Sequence, residues 1–495
     1  MKKIQLFFLL LFFSFITQQA IAQTRAKTKY AIEMGATSGW GAYAPLWLTA
    51  NRQGLSSVCS ESGYLRAGIS HSMPLKNHFN FSAGVDLATA YNFTSSVVVQ
   101  QAYADISYRW LNLSIGSKER LPQLKDPKLS SGGMVESNNA RPIPQMRLEV
   151  PDYITIPGTH NWFHIKGHIA YGRFTDDKWQ EHFTSIGNKY AKDVLYHSKS
   201  LFAKIGNKER FPLVFEGGMQ MAAQFGGDQY IAGQSEPVID MPTRFVDFMR
   251  VLVPMAGDDT TPEGEQVNIY GNHVGSWNFA VTAYLEQWKL KAYYEHYFDD
   301  HSQMFFQYGR WKDGHIGVEV TFPKNRFIDT FVYEGLGTKD QTGPMLYDAF
   351  WGEFEEQISA KDNYYNHYLY QGWQHWGMGI GNTLLPGPAY NKNGQITFVS
   401  NRVLAHHVGF SGSPTPELCY RILLSYSRHW GTYDNPFNEI KKQFNSLAEV
   451  TYVPSRGEGW SFTLSAALDR GSMLGNSGGG MLVIRKQGII GSLNK

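Results

Sequence analysis

The densest chemistry in this 495-residue chain lies between Asp362 and Trp376, which reads DNYYNHYLYQGWQHW. Sugars present an axial C–H face that packs on aromatic rings, and a rim of hydroxyls that bonds to amides, carboxylates and imidazoles. Tyr364, Tyr365, Trp373 and Trp376 offer the rings, and Asn366 and His367 the polar groups. That combination suits contact with a polysaccharide. The same rings could instead pack on one another to hold a large loop together, and both readings stand at this level.

A second cluster gathers Lys118, Arg120, Lys125, Lys128, Arg141 and Arg147 among prolines, glycines and the carboxylates Glu119, Asp126 and Glu136. Guanidinium groups hold carboxylates in a fork, so Arg141 and Arg147 are candidates for acidic substituents on a glycan. An internally paired network plugging the interior is the competing reading.

Catalytic patterns are poor. Gly475-Asn476-Ser477-Gly478-Gly479 has the G-x-S-x-G form but sits in a glycine-rich turn before a strand, not at a strand-to-helix elbow. His406-His407, the pair His296 and His301, and the pair His367 and His375 lack the H-E-x-x-H spacing of a zinc site. Asp258-Asp259 with Glu263 and Glu265 does not follow the EF-hand spacing, and reads as a solvated acidic loop. The chain is expected to be no enzyme, and to use no metal and no cofactor.

The elements that would position these residues are strands. From Phe79 to Phe93, Phe79, Phe81, Val85, Leu87, Tyr91 and Phe93 alternate with Asn80, Ser82, Gly84, Asp86 and Asn92. A period of two held this long exceeds the usual soluble strand and suits a tilted strand crossing a bilayer. The pattern returns at Trp277–Leu285, at Ile316–Phe322 and at Trp460–Leu468. Around Phe163–Tyr171 the alternate positions are His164, Lys166 and His168, costly in a sandwich core but tolerable in a water-filled lumen. Trp110, Trp277, Phe298 and Trp460 fall at run ends, where interfacial girdles sit. These features predict an all-β protein, a transmembrane antiparallel barrel. Roughly 25 residues per strand and loop gives about 18 strands, with sixteen also permissible.

Short connections are expected at Trp110–Asn112, Gly309–Gly314 and Arg456–Gly459, and long ones, expected to be extracellular, over 118–145, 225–272 and 335–398. In the second long one, Phe245, Phe248, Met249, Leu252 and Val253 recur at helical spacing, with Asp240 as a candidate N-cap and Pro242 in the first turn. That short helix would cover the barrel mouth or pack on other loops.

Lys2-Lys3, the apolar run to Ile16 and Ala20-Ile21-Ala22 have the form of a signal peptide over 1–22, leaving one barrel domain over 23–495. Later in the chain no apolar run is long enough for a spanning helix. The 45 basic residues, less Lys2 and Lys3, match the 43 acidic ones, so no global field recruits nucleic acid. Cys59 and Cys419 are too few for a disulfide framework, and whether they pair is left open.

The run Leu121–Arg147, LPQLKDPKLSSGGMVESNNARPIPQMR, resembles the hallmark loop of the Wzi family of capsule assembly proteins of Bacteroidetes type. Pro45–Ser57, Ser302–Gly314, Tyr333–Pro344 and Asp362–Trp373 agree with it. The resemblance implies an 18-stranded, plugged outer-membrane barrel that acts as a surface lectin for capsular polysaccharide, with no known reaction. One departure is the C-terminus, Ile489 to Lys495, which lacks the terminal aromatic of many such barrels. The expected protein is a monomer in outer-membrane lipid that attaches surface polysaccharide; the alternative is a pore for solutes or polysaccharide.

Overall fold

The computed structural model describes residues 26–267, 269–299, 301–304, 313–344, 346–347 and 359–490. The signal peptide expected over 1–22 lies outside them. Eighteen antiparallel strands form one sheet whose first and last members pair, closing a barrel.

The first nine are β1 (Lys27–Gly41), β2 (Ser62–Pro74), β3 (Phe79–Tyr91), β4 (Val97–Tyr108), β5 (Leu111–Ser117), β6 (Gln145–Thr155), β7 (Phe163–Arg173), β8 (Leu195–Ile205) and β9 (Leu213–Phe225). The second nine are β10 (Asn272–Leu285), β11 (Trp288–Phe298), β12 (Gly314–Thr321), β13 (Thr330–Gly337), β14 (Val403–Thr415), β15 (Leu418–Gly431), β16 (Pro436–Tyr452), β17 (Trp460–Gly471) and β18 (Ser477–Ile490). Each pairs with its sequence neighbours, and Thr28 of β1 opposite Ile490 of β18 brings both strand termini to one end.

At that end the connections are all short, such as 109–110, 286–287 and 416–417; at the other lie 42–61, 118–144, 174–194, 226–271, 299–313 and 338–402. Short periplasmic turns and long extracellular loops are the rule for outer-membrane barrels, so the long-loop end faces outward. Arg456–Gly459 is a short turn as expected, whereas Gly309–Gly314 belongs to a long-end connection of which 309–312 lie outside the described residues. The Cys59 and Cys419 thiols are free and sit near opposite ends of the barrel.

Alternation sorts the wall into two faces. Val85, Leu87, Ile169, Phe279, Val281, Ile316, Leu464 and Leu482 point out and are exposed in the isolated chain, as lipid-facing residues must be. At the short-turn end Phe79, Tyr108, Trp110, Trp288, Tyr452 and Trp460 form an exposed aromatic girdle. Phe298, expected in a girdle, is instead buried against the bare backbone of Gly275 on the paired strand.

Two inward-facing polar residues of β7 find protein partners. His168 lies between the hydroxyls of Ser198 and Ser200, at 2.8 and 2.7 Å, and Lys166 donates to Gln123 at 2.8 Å. These protein hydrogen bonds help offset the burial of the polar groups.

The predicted helix α1 spans Phe245–Leu252, but its N-cap is Arg244, reciprocally bonded with Asp247, and not Asp240. Asp240 lies in the short strand Ile239–Met241. The helix neither enters the mouth nor rests only on loops. It lies against the outer face of β7–β9, where Phe248 packs on Tyr171 and Phe225 at 5.4 and 5.2 Å and Lys199 donates to the Val251 carbonyl at 2.9 Å. Phe245, Val246 and Met249 remain exposed on its other side, the apolar stripe of a helix lying at a membrane boundary.

Candidate functional site

Connection 118–144 and the described parts of 338–402 fold into the outer half of the lumen as a cap bonded to the wall. Glu295 of β11 and Glu334 of β13 point inward and are buried. Glu295 takes the Lys125 ammonium and the Met134 N–H at 3.0 Å. Glu334 accepts the Ser131 N–H at 2.8 Å and the hydroxyls of Ser130, Ser131 and Tyr293, with His315 3.3 Å away. On the neighbouring strands β8 and β9, Tyr196, Ser198 and Gln220 donate to Glu136 of the cap. The 42–61 connection is held in the same way: Leu46 N–H donates to Asp469 at 2.9 Å, and the Trp47 indole to Ser425 at 3.2 Å. A buried charge demands a partner; in Lys125–Glu295 the cap holds one member of the pair and the wall the other.

Half of the basic cluster, Lys118, Lys125 and Arg147, is held in ion pairs. Lys118 pairs with Asp105, Glu119 with Arg66, and Arg147 with Glu149 at 2.6 Å. For these charges the internally paired network is the arrangement found. Arg147 is buried in the lumen, where with Arg120, Glu136, Lys166 and His168 it lines a polar chamber of about 340 Å³ beneath the cap. Arg141 differs. Its guanidinium stacks 4.5 Å from the Trp376 ring and donates to Thr94 at 3.0 Å, and burial lowers its pKa to about 10, which leaves it charged at neutral pH.

The segment 362–376 divides into buried and accessible parts. Tyr364, Tyr365 and Trp373 are buried in the cap interior and do not offer a ring face to a sugar as the sequence reading supposed. Their polar atoms explain why: Tyr365 bonds the Met134 carbonyl, Trp373 donates to the Val135 carbonyl at 2.8 Å, and Tyr364 donates to Gln303. Asn366 holds both the N–H and the carbonyl of Phe398, at 2.8 and 2.9 Å. His367 lies between Tyr368 and Tyr370, where burial pushes its imidazole well below its ordinary range and keeps it neutral. Trp376, partly exposed, and Tyr368, 46% exposed, are the rings of this segment that reach the surface.

The sequence reading missed Tyr368, although it lies inside the segment, because neighbouring tyrosines carry no mark of which way each points. It also missed Arg402 stacked 3.8 Å from Tyr433. No local signal joins those two.

Asp313, at the outer end of β12, ties this segment to the next connection. It accepts the Asp340 N–H at 3.1 Å and the Gln341 N–H, and faces the Tyr364 hydroxyl at 3.4 Å. Burial raises its pKa to about 6. The folded state therefore binds the proton more tightly than the unfolded chain, and the stability of the cap should fall as pH rises from about 4 to above 6. A shift of this size corresponds to on the order of 3 kcal/mol. Hydrogen exchange of the cap amides, corrected for intrinsic rates, should show greater protection at pH 4.5 than at pH 7.5, and Asp313→Asn should flatten that difference.

No family model matches the chain, and no curated protein matches it. Solved structures do. Wzi of Escherichia coli, described as an outer membrane protein involved in group 1 capsule assembly and a carbohydrate binding β-barrel, aligns with a TM-score of 0.54 at 12% identity, over 93% of this chain and 84% of that one. OccK3 (OpdO) of Pseudomonas aeruginosa aligns at 0.48 and 9% identity, over 94% and 96% of the two chains. OccAB4 of Acinetobacter baumannii aligns at 0.47 and 10% identity, over 94% and 99%.

The fold is that of an outer-membrane β-barrel. At such identities the likeness concerns the barrel and not one member of it. Cap, chamber and surface rings are features of this chain's own connections.

Proposed function

We propose that this chain is an outer-membrane lectin of the Wzi kind, which binds and helps attach or organise capsular or other surface polysaccharide at the cell exterior. The observation that carries the reading is the cap. Six long connections emerge at the outer end, and the described parts of the two longest near the lumen, 118–144 and 338–402, are bonded into it. A barrel filled there by its own chain presents a surface to the exterior in place of an open mouth. The carbohydrate binding described for the Wzi structure supports the same reading.

On that surface Trp376 and Tyr368 supply ring faces, and Arg141, buried against the Trp376 ring, supports that ring from behind. Asn366, His367, Tyr364, Tyr365 and Trp373 shape the segment beneath, while Arg147 is spent on Glu149 within the lumen and does not meet an exterior glycan. Individual contacts are weak, and a polymer spanning many barrels gains its hold by avidity.

Replacing Trp376 by Ala should weaken glycan binding by the purified barrel about fivefold to tenfold, the loss of roughly one aromatic contact, while heat-modifiable migration still reports a folded barrel. Deleting the gene and comparing cell-bound with released polysaccharide tests the reading as a whole. Polymer still made but shed to the medium supports attachment. Unchanged attachment with reduced solute uptake refutes it in favour of the pore reading, which the polar chamber beneath the cap favours.

A further inference from the structure

On the outer face of β15–β17, just beyond the lipid-facing side chains, three cations stand together. Arg428, Lys442 and Arg470 share the outward alternation of Leu424, Tyr426, Phe444, Leu464 and Leu468, all exposed apolar or aromatic residues nearer the membrane. Arg428 lies directly opposite Lys442, and Arg470 directly opposite Phe444, two positions along β16 from Lys442. All three are exposed, and none makes an ion pair among the described residues. Asp469 and Glu439 alternate to the other face, and Asp434 is held by Lys361.

Like charges directly opposite in a sheet destabilise it, so Arg428 facing Lys442 is an arrangement that an anion would relieve. The surroundings indicate where that anion comes from. Arg428 and Lys339 lie 5.4 and 5.2 Å from the Trp430 ring, and Arg470 lies 5.3 Å from Trp40, which is itself laid across Gly478. Tryptophans of this kind mark the membrane–water boundary. Cations immediately above it, on the wall and not on the cap, face the headgroup layer of the outer leaflet.

We propose that Arg428, Lys442 and Arg470 form a binding site for the phosphate groups of an outer-leaflet lipid. The apolar row below takes the acyl chains, and the two guanidinium groups and the ammonium take the phosphates. This site is separate from the glycan surface and does not depend on the reading given for it.

The test uses the full mature chain in neutral detergent, with bisphosphorylated lipid A as the probe and its dephosphorylated form, inorganic phosphate and polygalacturonate as comparisons. Native mass spectrometry should show retained lipid A. The triple variant R428Q/K442Q/R470Q should lose it by about 100-fold, roughly fivefold for each cation at a membrane surface, and the charge-preserving R428K/R470K should keep most of it. Dephosphorylated lipid should bind both proteins alike. Equal retention by the triple variant, an equal loss with dephosphorylated lipid, or preferential capture of polygalacturonate or free phosphate would overturn the proposal. Heat-modifiable migration confirms that each variant is a folded barrel, so loss of lipid cannot be taken for loss of fold.

Discussion

Trp373→Ala should release the cap while leaving the barrel intact. Trp373 is completely buried, lies against Tyr196 with ring centroids 6.2 Å apart, and donates its indole N–H to the Val135 carbonyl. Truncation removes the largest side chain linking 338–402 to both the wall and the 118–144 connection. It also leaves a buried carbonyl without that donor. Losses of this kind cost about 3–5 kcal/mol for the ring and about 1–3 kcal/mol for the orphaned acceptor. The barrel's own ladder does not pass through this residue, so heat-modifiable migration should persist. Planar-bilayer recordings should then show larger and more frequent openings than the parent protein, and proteases added outside should cut the connections faster. A variant as quiet and as resistant as the parent would mean that Trp373 does not hold the cap.

Glu295→Ala should act on the same cap from the wall side, with a comparable effect. Lys125 and Glu295 are both buried, and Glu295 also accepts the Met134 N–H. Removing the carboxylate strands an ammonium in the interior, a change worth about 3–5 kcal/mol. The cost should be met by displacement of 118–144 and not by unfolding, because Lys125 belongs to a connection that can move to water. The double variant Glu295→Ala/Lys125→Met restores neutrality and should recover most of the lost protection, with bilayer recordings returning toward the quiet parent. Failure of that rescue would show that the Met134 contact, and not the ion pair, carries the anchor.

These two residues also mark the boundary of what a sequence can show. The strands were legible because their signal is local. Alternation at Phe79–Tyr91, or at Trp460–Leu468, needs only neighbours two apart, and a bilayer on one side with a polar interior on the other imposes that period wherever the chain crosses. Three of the six long connections, 118–144, 226–271 and 338–402, were legible as gaps in the same pattern, with boundaries within a few residues of the strand ends, whereas 42–61, 174–194 and 299–313 were not.

The helix at Phe245–Leu252 was legible from its spacing, but its cap and its resting place were not. Arg244 and Asp247 close the turn through their side chains, and the outer face of β7–β9 exists only once those strands have paired.

For the site, residue type alone identified the sugar-like chemistry of 362–376 and the basic run 118–147, and could go no further. A tyrosine displayed to a polymer and a tyrosine holding a cap together look the same in one dimension. The deciding partners of Tyr365 and Trp373 are backbone carbonyls more than 200 positions away, and Lys125 meets Glu295 across 170. The sequence by itself determined the barrel, its approximate strand number and the segments able to carry recognition. Only the tertiary structure decided which rings are buried, which charges are spent on anchoring and which remain free, because each of those outcomes depends on contacts formed after the sheet has closed.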